Sequence, residues 1–460
     1  MVQFSVEGKS VTVVGAARSG IAAALLLAER GARVTLTDRR DTFDDNAARD
    51  QLHRAGVSVE LGEHRENTFT RADLIVLSPG VAPGQAQVDA ARRARIPVIG
   101  EIELASRWLS GRIVAITGTK GKSTTTALTG RMLNAGGLKA IVGGNIGTPL
   151  SAQVGQSTPE TFHIIEVSSF QLETIERFHP WIAVLLNFSP DHLDRHASVD
   201  EYAEAKAKIF SNQTPGDWAV INADDPQTLT MARLGRARQV RFAVEGAIDE
   251  GITLRSGAIS EVRGGIETAL VPLSAIRLVG RHLLADVVAA TAVARIAGVA
   301  PNAMARAVES FEGLEHVLET VATIGRVRFV NDSKATNVEA ARRAIESFDD
   351  GLVAILGGRF KGGDLGLLIA ALKSRGATVV AIGEAQPLIQ KAFDGSVPVH
   401  AAATMKSAVR LAFELAPPGG TVLMSPACAS FDMFRDYAER GEAFKKAVRE
   451  LGKEGQGLEQ

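Results

Sequence analysis

The stretch Ile113-Val-Ala-Ile-Thr-Gly-Thr-Lys-Gly-Lys-Ser-Thr-Thr125 decides the reading of this chain. A short apolar run, strand-like in character, enters a glycine-containing turn, and Lys-Ser then opens a helix. In such a turn the backbone N–H groups point inward and cradle phosphate. Lys122 adds a mobile cation, and the Ser123 hydroxyl is a hard oxygen suited to magnesium. Gly118, Thr119, Lys120, Gly121, Lys122, Ser123 and Thr124 are therefore the expected contacts of a nucleoside triphosphate. Ile116 stands where the full phosphate-loop pattern has its first glycine. An ordinary Gly-rich turn explains Gly118 and Gly121 but not the Lys-Ser pair.

Outward from this loop one rhythm repeats: an apolar strand whose last residues turn polar and glycine-rich. Residues 10–14 read as a strand, Gly15-Ala-Ala-Arg-Ser-Gly20 as a turn, 21–30 as an amphipathic helix, and 34–37 as a strand ending at Asp38. The glycine spacing is not the dinucleotide fingerprint, yet Asp38 offers a carboxylate at a strand end. A strand at 74–77 delivers Ser78-Pro-Gly80. Beyond the phosphate loop come the turn-rich Gly143-Gly-Asn-Ile-Gly-Thr-Pro149 and a strand at 163–167 bearing Glu166. A strand at 183–186 leads into Asn187-Phe-Ser-Pro-Asp-His-Leu-Asp194, and a helix at 200–210 bears Lys206 and Lys208. Short strands fill 240–275, and 282–297 is a dense, alanine-rich helix. From Phe311 onward, a strand at 327–331 ends in Asp332-Ser-Lys-Ala-Thr-Asn337, and one at 353–356 leads into Gly357-Gly-Arg-Phe-Lys-Gly-Gly-Asp364. Strands at 379–382 and 421–424 follow, and 452–460 reads as a frayed tail. Strand–loop–helix alternation of this kind specifies an α/β chain with mostly parallel sheets. Three domains are expected, at 1–107, 108–310 and 311–460. Ligands settle where parallel strands end, so 78–80, 118–124, 187–194, 331–337 and 425–432 are the expected cleft walls.

Bulk properties narrow the function classes. A chain of 460 residues, 45% hydrophobic and 22% charged, is a globular enzyme in composition. A net charge of −1 provides no field for nucleic acid or a membrane surface. The single cysteine, Cys428, excludes an intrachain disulfide or a cysteine metal cluster. The sequence shows no secretory signal and no apolar run of spanning length, so a cytoplasmic location without stable membrane association is expected.

The chemistry of triphosphate transfer points to further residues. Glu166 and Ser123 are hard oxygen ligands for Mg²⁺, and His192 is a softer ligand for a second ion. Taken singly, a strand-end Glu or a loop His is more often structural, but here each follows an expected strand of the same sheet as the phosphate loop. Lys206 and Lys208, two positions apart on a helix, face different sides, and both read as solvated on that ground alone. Asp332 and Lys334 flank a turn suited to a ribose or a carboxylate. Lys361 lies in a Gly-rich loop open to an anionic ligand, or is a plain surface lysine. Ser430 and Tyr437 read equally as a helix cap and a packed aromatic.

Taken together, the motifs resemble the Mur ligase family, in its glutamate-adding branch. The resemblance rests on Thr117-Gly-Thr-Lys-Gly-Lys-Ser-Thr-Thr125, Gly144-Asn-Ile-Gly-Thr-Pro149, Glu166-Val-Ser-Ser-Phe-Gln-Leu-Glu173, Asp191-His-Leu-Asp-Arg-His196, Asn331-Asp-Ser-Lys-Ala-Thr-Asn337 and Ser425-Pro-Ala-Cys-Ala-Ser-Phe-Asp432, in family order. It implies a Rossmann-like N-terminal domain for a UDP-linked substrate, a central P-loop ATPase-like domain, and a C-terminal Rossmann-like domain that takes glutamate and closes. It implies an ATP-dependent amide ligase that adds D-glutamate to UDP-N-acetylmuramoyl-L-alanine through an acyl phosphate, in peptidoglycan precursor synthesis, acting as a monomer. By position it implies that Gly15, Arg18, Ser19, Asp38, Arg40, Ser78, Pro79, Gly80 and Asn145 contact the UDP substrate. Lys122, Glu166, His192, Lys206 and Lys334 are the implied catalytic set. The resemblance further implies that Glu166 and His192 hold magnesium and that Lys206 does so if carbamylated, while Lys208 has no such match. It likewise implies that Asp332 holds the ATP ribose and that Lys361, Ser430 and Tyr437 take glutamate.

The chain departs from the family pattern at several points. His316-Val317 replaces His-Arg, leaving Arg326 and Arg328 as the candidates to replace a phosphate-contacting arginine. Gly280-Arg-His-Leu-Leu-Ala-Asp286 replaces Gly-x-His-Asn-x-x-Asn, so Leu283 offers adenine no hydrogen bond, and Asp286, when ionised, only accepts. Tyr437 replaces phenylalanine. The competing readings are an L-glutamate-adding or other Mur ligase, a folylpolyglutamate synthase-like ligase, and a non-catalytic nucleotide-binding relative.

Overall fold

The apolar runs pair into three sheets among the described residues of the computed structural model, which are 4–43, 45–191, 195–277 and 281–456. The first sheet holds β1 (Ser10–Val14), β2 (Arg33–Asp38), β3 (Ser58–Leu61), β4 (Leu74–Leu77) and β5 (Val98–Gly100). Its order is β3-β2-β1-β4-β5, parallel throughout. β1 and β4 are buried almost end to end. That explains their continuous apolar sequence, since helices cover both faces of a parallel sheet. The helix after β1 spans Arg18–Glu29 and starts earlier than its apolar periodicity indicates. Arg18 and Ser19 thus lie in its first turn, where backbone N–H groups lack intrahelical acceptors.

The second sheet contains β6 (Arg112–Thr117), β7 (Lys139–Gly144), β8 (Thr161–Glu166), β9 (Ile182–Leu185), β10 (Trp218–Asn222), β11 (Arg238–Ala243), β12 (Gly251–Arg255), β13 (Ala258–Arg263) and β14 (Ile266–Pro272). The order is β14-β13-β12-β11-β10-β9-β6-β8-β7. From β7 to β12 the pairing is parallel, and β12-β13-β14 close the edge as an antiparallel meander. β6 lies between β8 and β9, so the phosphate loop, Glu166 and Asn187 leave the sheet side by side.

These two sheets belong to one compact unit, residues 1–276 with 285–310. Two buried carboxylates tie them. Glu103 Oε2 accepts from the backbone N–H groups of Glu176, Arg177 and Phe178 at 2.8, 2.9 and 2.8 Å, while Oε1 pairs with Arg107 at 2.8 Å. Glu101 accepts from the Ser151 N–H at 2.6 Å, and burial raises its pKa against that hydrogen bond.

The second unit, 277–284 with 311–460, is built on β15 (Glu319–Ile324), β16 (Val327–Asn331), β17 (Leu352–Gly357), β18 (Thr378–Ile382), β19 (Val399–Ala401) and β20 (Thr421–Met424). The order is β15-β16-β20-β17-β18-β19, with only β15 antiparallel. Alternate residues feed its two cores: Val330, Ala354, Leu356 and Leu423 on one face, Phe329, Ile355, Val422 and Met424 on the other. Leu283 packs in the first of these cores, a packing reason for its apolar side chain. The expected frayed tail is corrected as far as Gln456, because the helix Tyr437–Gln456 continues through it. Buried Phe444, Ala447 and Val448 anchor that helix to the sheet; residues 457–460 lie outside the described residues. No helix among the described residues is long and apolar enough to cross a membrane.

Candidate active site

The phosphate loop is held by its glycines and by one asparagine. Gly118 and Gly121 adopt φ of +156° and +82°. A Cβ at Gly118 would lie 3.0 Å from Leu186 Cβ, and one at Gly121 would lie 2.0 Å from the buried Asp286 carboxylate. Both positions therefore need glycine. Asn187 Oδ1 accepts from the Thr119 and Lys120 N–H groups at 3.1 and 2.9 Å, and Nδ2 donates to the Lys120 carbonyl at 3.1 Å. Thr119 Oγ1 donates to the Ser189 carbonyl and accepts from the Ser189 N–H. Lys122 Nζ donates to the carbonyls of Gly118 and Thr119 at 3.0 and 2.9 Å, which holds the cation over its own loop. Thr124 is buried in the first helical turn.

Glu166, buried at the end of β8, joins two functions. Its Oε2 accepts from the Ser123 hydroxyl at 2.6 Å, and its Oε1 accepts from Asn145 Nδ2 at 2.9 Å. Two hard oxygen donors at the mouth of a phosphate loop are the set magnesium favours. Lys206 is only 2% exposed. Its amine donates to the Gly118 carbonyl at 2.9 Å and sits 4.6 Å from the Tyr202 ring centroid. Burial, then repulsion from Lys122, pushes its pKa well below the usual lysine value, against the pull of Asp191 and Glu166. Burial likewise pushes the Tyr202 hydroxyl up to about 12. Lys120 pairs with Asp191 at 3.4 Å. Lys208, exposed, donates to the Glu173 carbonyl, so the solvated reading fits Lys208 but is corrected for Lys206. His192 lies outside the described residues.

A cleft of about 430 Å³ opens at the strand ends of the first sheet. Gly15, Arg18, Ser19, Asp38, Arg40, Ser78, Pro79, Gly80 and Asn145 all line it. Asn145 therefore touches both this cleft and Glu166. Asp38 accepts from the Ala16 N–H at 2.6 Å and from Arg40. Burial would raise its pKa, but these hydrogen bonds outweigh it and hold the carboxyl below its usual value. A larger cavity of about 770 Å³, with Trp218, Arg241 and Arg295 in its wall, gathers none of the expected site residues.

In the second unit, Lys334, Lys361 and Ser430 ride on the loops after β16, β17 and β20, adjacent strands whose ends share one edge of the sheet. Asp332, buried, accepts from the Leu318 N–H at 3.2 Å and the Ser425 hydroxyl at 2.8 Å. Lys361 is exposed, Ser430 is buried, and Tyr437 is 39% exposed, edge-on to His316. Arg326 and Arg328 are corrected as stand-ins for the missing arginine. They flank the first residue of β16, about 13 Å (Arg328) and about 20 Å (Arg326) along the chain from Asp332. Arg328 there donates to Thr421 and stacks on Phe348.

Three residues escaped the sequence reading. Asn187 carries a signal, an amide directly after a buried strand. His64 lines the 430 Å³ cleft and bonds Thr37 Oγ1 at 2.9 Å, with no sequence signal. Arg195, within the 191–196 motif, lies 4.0 Å over the Phe170 ring and donates to the carbonyls of Pro79 and Val81.

Known proteins of similar sequence and fold match all three sheet regions. The Mur ligase MurD-like N-terminal domain matches residues 9–100, the Mur ligase middle domain 116–294, and the Mur ligase glutamate ligase domain 316–428. The UDP-N-acetylmuramoylalanine--D-glutamate ligase of Koribacter versatilis is 44% identical over 451 residues, covering 98% of this chain and 99% of that one. The ligase of the same name from Acidobacterium capsulatum is 45% identical over 447 residues, covering 97% of each. The solved pseudomurein peptide ligase type C of Methanothermus fervidus, 17% identical, shares the fold with a TM-score of 0.61 over 96% of this chain and all of that one.

Proposed function

The chain belongs to the Mur ligase family, and from that membership we propose that it joins D-glutamate to UDP-N-acetylmuramoyl-L-alanine, converting ATP to ADP and phosphate. The observation that carries the reading is the Ser123–Glu166–Asn145 chain of contacts. It links a phosphate loop to a separate cleft whose wall contains nine residues expected to touch the nucleotide-linked substrate. Near-full-length identity of 44–45% to ligases of that name supports the choice of substrates.

The reaction has two displacements. An oxygen of the L-alanyl carboxylate attacks the γ-phosphorus of ATP, the bond to the β-phosphate oxygen breaks, and ADP leaves. The amine of D-glutamate then attacks the acyl carbon. The bond to the phosphoryl oxygen breaks, phosphate leaves, and the nitrogen releases its proton. Lys122 and the loop N–H groups hold the phosphates, and Asn145 orients the substrate beside Glu166. Ser123 and Glu166 would hold a first magnesium ion, and His192 with a carbamylated Lys206 a second; magnesium so held would supply charge that neutralises the transferring phosphoryl group. The carbamate forms when the buried Lys206 amine adds to CO₂ and loses a proton. An anion then replaces a cation that has no ion pair among the described residues. Asp332 is assigned to the ribose, Lys334 to the phosphoryl group, and Lys361, Ser430 and Tyr437 to glutamate.

Three functional domains, 1–107, 108–310 and 311–460, take the UDP substrate, ATP and glutamate respectively. All named groups lie on one chain, so a monomer suffices, and the nucleotide-linked substrate and ATP favour a cytoplasmic reaction. A substrate panel scored by phosphate release tests the reading. Turnover is expected with UDP-N-acetylmuramoyl-L-alanine and D-glutamate. Turnover with L-glutamate alone, with a folate acceptor, or with L-lysine or meso-diaminopimelate on the dipeptide substrate would reject it.

A further inference from the structure

Arg440, on the helix Tyr437–Gln456, is the largest side chain among the most deeply buried residues, at 1% exposure. Its partners are all uncharged. Nε donates to Ser333 Oγ at 3.0 Å and one terminal nitrogen donates to the Ser333 carbonyl at 2.9 Å. The other terminal nitrogen donates to the Cys428 carbonyl at 3.0 Å and the Gly357 carbonyl at 3.5 Å. Among the described residues no carboxylate lies within ion-pair distance of it. Asp432 and Asp332 favour its charge only from beyond contact, and a buried guanidinium without a direct ion pair is costly to keep, so stability alone is a poor reason for an arginine here.

Its three groups of partners belong to three different loops. Ser333 precedes Lys334 after β16, Gly357 ends β17 four residues before Lys361, and Cys428 lies two residues before Ser430 after β20. The loops close tightly around the cation. A Cβ at Gly358 would lie 3.1 Å from the Arg440 terminal nitrogen and 2.2 Å from the Ala429 carbonyl. Arg359 and Ala429 exchange backbone hydrogen bonds at 2.9 and 3.0 Å. The Ser333 hydroxyl also donates to the Tyr437 carbonyl at 2.7 Å. Only a planar fork with diverging donors reaches three loops at once; a lysine nitrogen is a single point. Burial draws the Arg440 pKa down to about 10, which leaves it charged at neutral pH.

We propose that Arg440 is a positioning residue that clamps the loops after β16, β17 and β20, setting the spacing of Lys334, Lys361 and Ser430 for the incoming amino acid. This rests on the glutamate assignment above for its kinetic consequence, but not for the clamp itself. Two measurements on Arg440→Lys and Arg440→Met separate the two. Hydrogen exchange reads the clamp directly: amides in 333–336, 357–363 and 427–432 are expected to exchange at least about tenfold faster in both variants, with 1–276 unchanged. Kinetics read its use: the KM for D-glutamate is expected to rise about 10- to 100-fold, with the KM for UDP-N-acetylmuramoyl-L-alanine unmoved. A merely structural role would lower the amount of active enzyme and leave both KM values in place. If Arg440→Met does not fold, Arg440→Lys decides. Unchanged loop exchange in a folded variant overturns the clamp, and faster exchange with an unchanged glutamate KM overturns its role in positioning. A wild-type enzyme without glutamate-dependent turnover would reject the glutamate assignment while leaving the exchange result to judge the clamp.

Discussion

Replacing Asn187 by alanine should cripple ATP binding while sparing the fold. The side chain makes three hydrogen bonds to the phosphate loop: two to N–H groups of Thr119 and Lys120, one to the Lys120 carbonyl. The Thr119 N–H also reaches the Asn187 backbone carbonyl at 3.1 Å, a contact the substitution keeps. Asn187 is half-buried, so water partly replaces what is lost. At about 1 kcal/mol net per bond, the ordered loop loses about 2–3 kcal/mol. That is roughly a 30- to 150-fold shift in the loop equilibrium. If triphosphate binds only the ordered loop, the apparent affinity falls with the ordered fraction. The KM for ATP should therefore rise by up to roughly 100-fold, with the KM for the UDP substrate unchanged. Steady-state kinetics over an ATP series, beside thermal melts of both proteins, are the assay. A folded Asn187→Ala enzyme whose KM for ATP stays within about threefold of wild type would refute the idea that this amide organises the loop.

Other perturbations follow from the same site. Lys122→Ala removes the cation poised over the loop and should lower kcat by about 10²–10³ in single-turnover phosphate release, near-normal turnover meaning the phosphate site is misplaced. Lys206→Ala should lose activity and regain part of it with added short-chain carboxylates; full activity without additive would reject the carbamate. Glu101→Gln tests pH linkage. Burial raises the folded-state pKa of Glu101 above the ordinary 4.5, so its stabilisation is present below that value and drains away as pH climbs through the folded pKa. The glutamine variant, with nothing to titrate, should gain in Tm over wild type as pH increases from about 4 to 8, and a Tm difference independent of pH would contradict this.

The strand-end loops were legible because parallel, doubly covered strands must be apolar while their ends need not be. That contrast marks 118–124, Glu166 and 187–194 as strand-end segments, and the pairing of β6 with β8 and β9 sets the phosphate loop, Glu166 and Asn187 side by side. The nine residues expected to touch the UDP substrate follow from motif position, and one cleft is lined by all of them. What sequence could not supply was contact between distant segments. His64 enters the cleft only because β3 pairs with β2, a neighbour relation with no local signature. Lys206 lies in the last turn of the helix Val199–Ala207 and Lys208 just beyond it, and periodicity indicates only that they face apart. Which of them is buried depends on Gly118 and Tyr202, brought in from elsewhere. Arg440 is similar, since its helix looks like any charged amphipathic segment until three loops converge on it. Arg326 and Arg328 failed as substitutes because adjacency in sequence to Asp332 hid a whole strand length between them.

The central claim is that the alanyl carboxylate is phosphorylated by ATP before glutamate attacks. The most direct measurement uses UDP-N-acetylmuramoyl-L-alanine labelled with oxygen-18 in that carboxyl group, turned over with ATP, Mg²⁺ and D-glutamate, with the released phosphate analysed by mass. One labelled oxygen should appear in the phosphate for every amide formed. Amide formation with unlabelled phosphate would contradict the account.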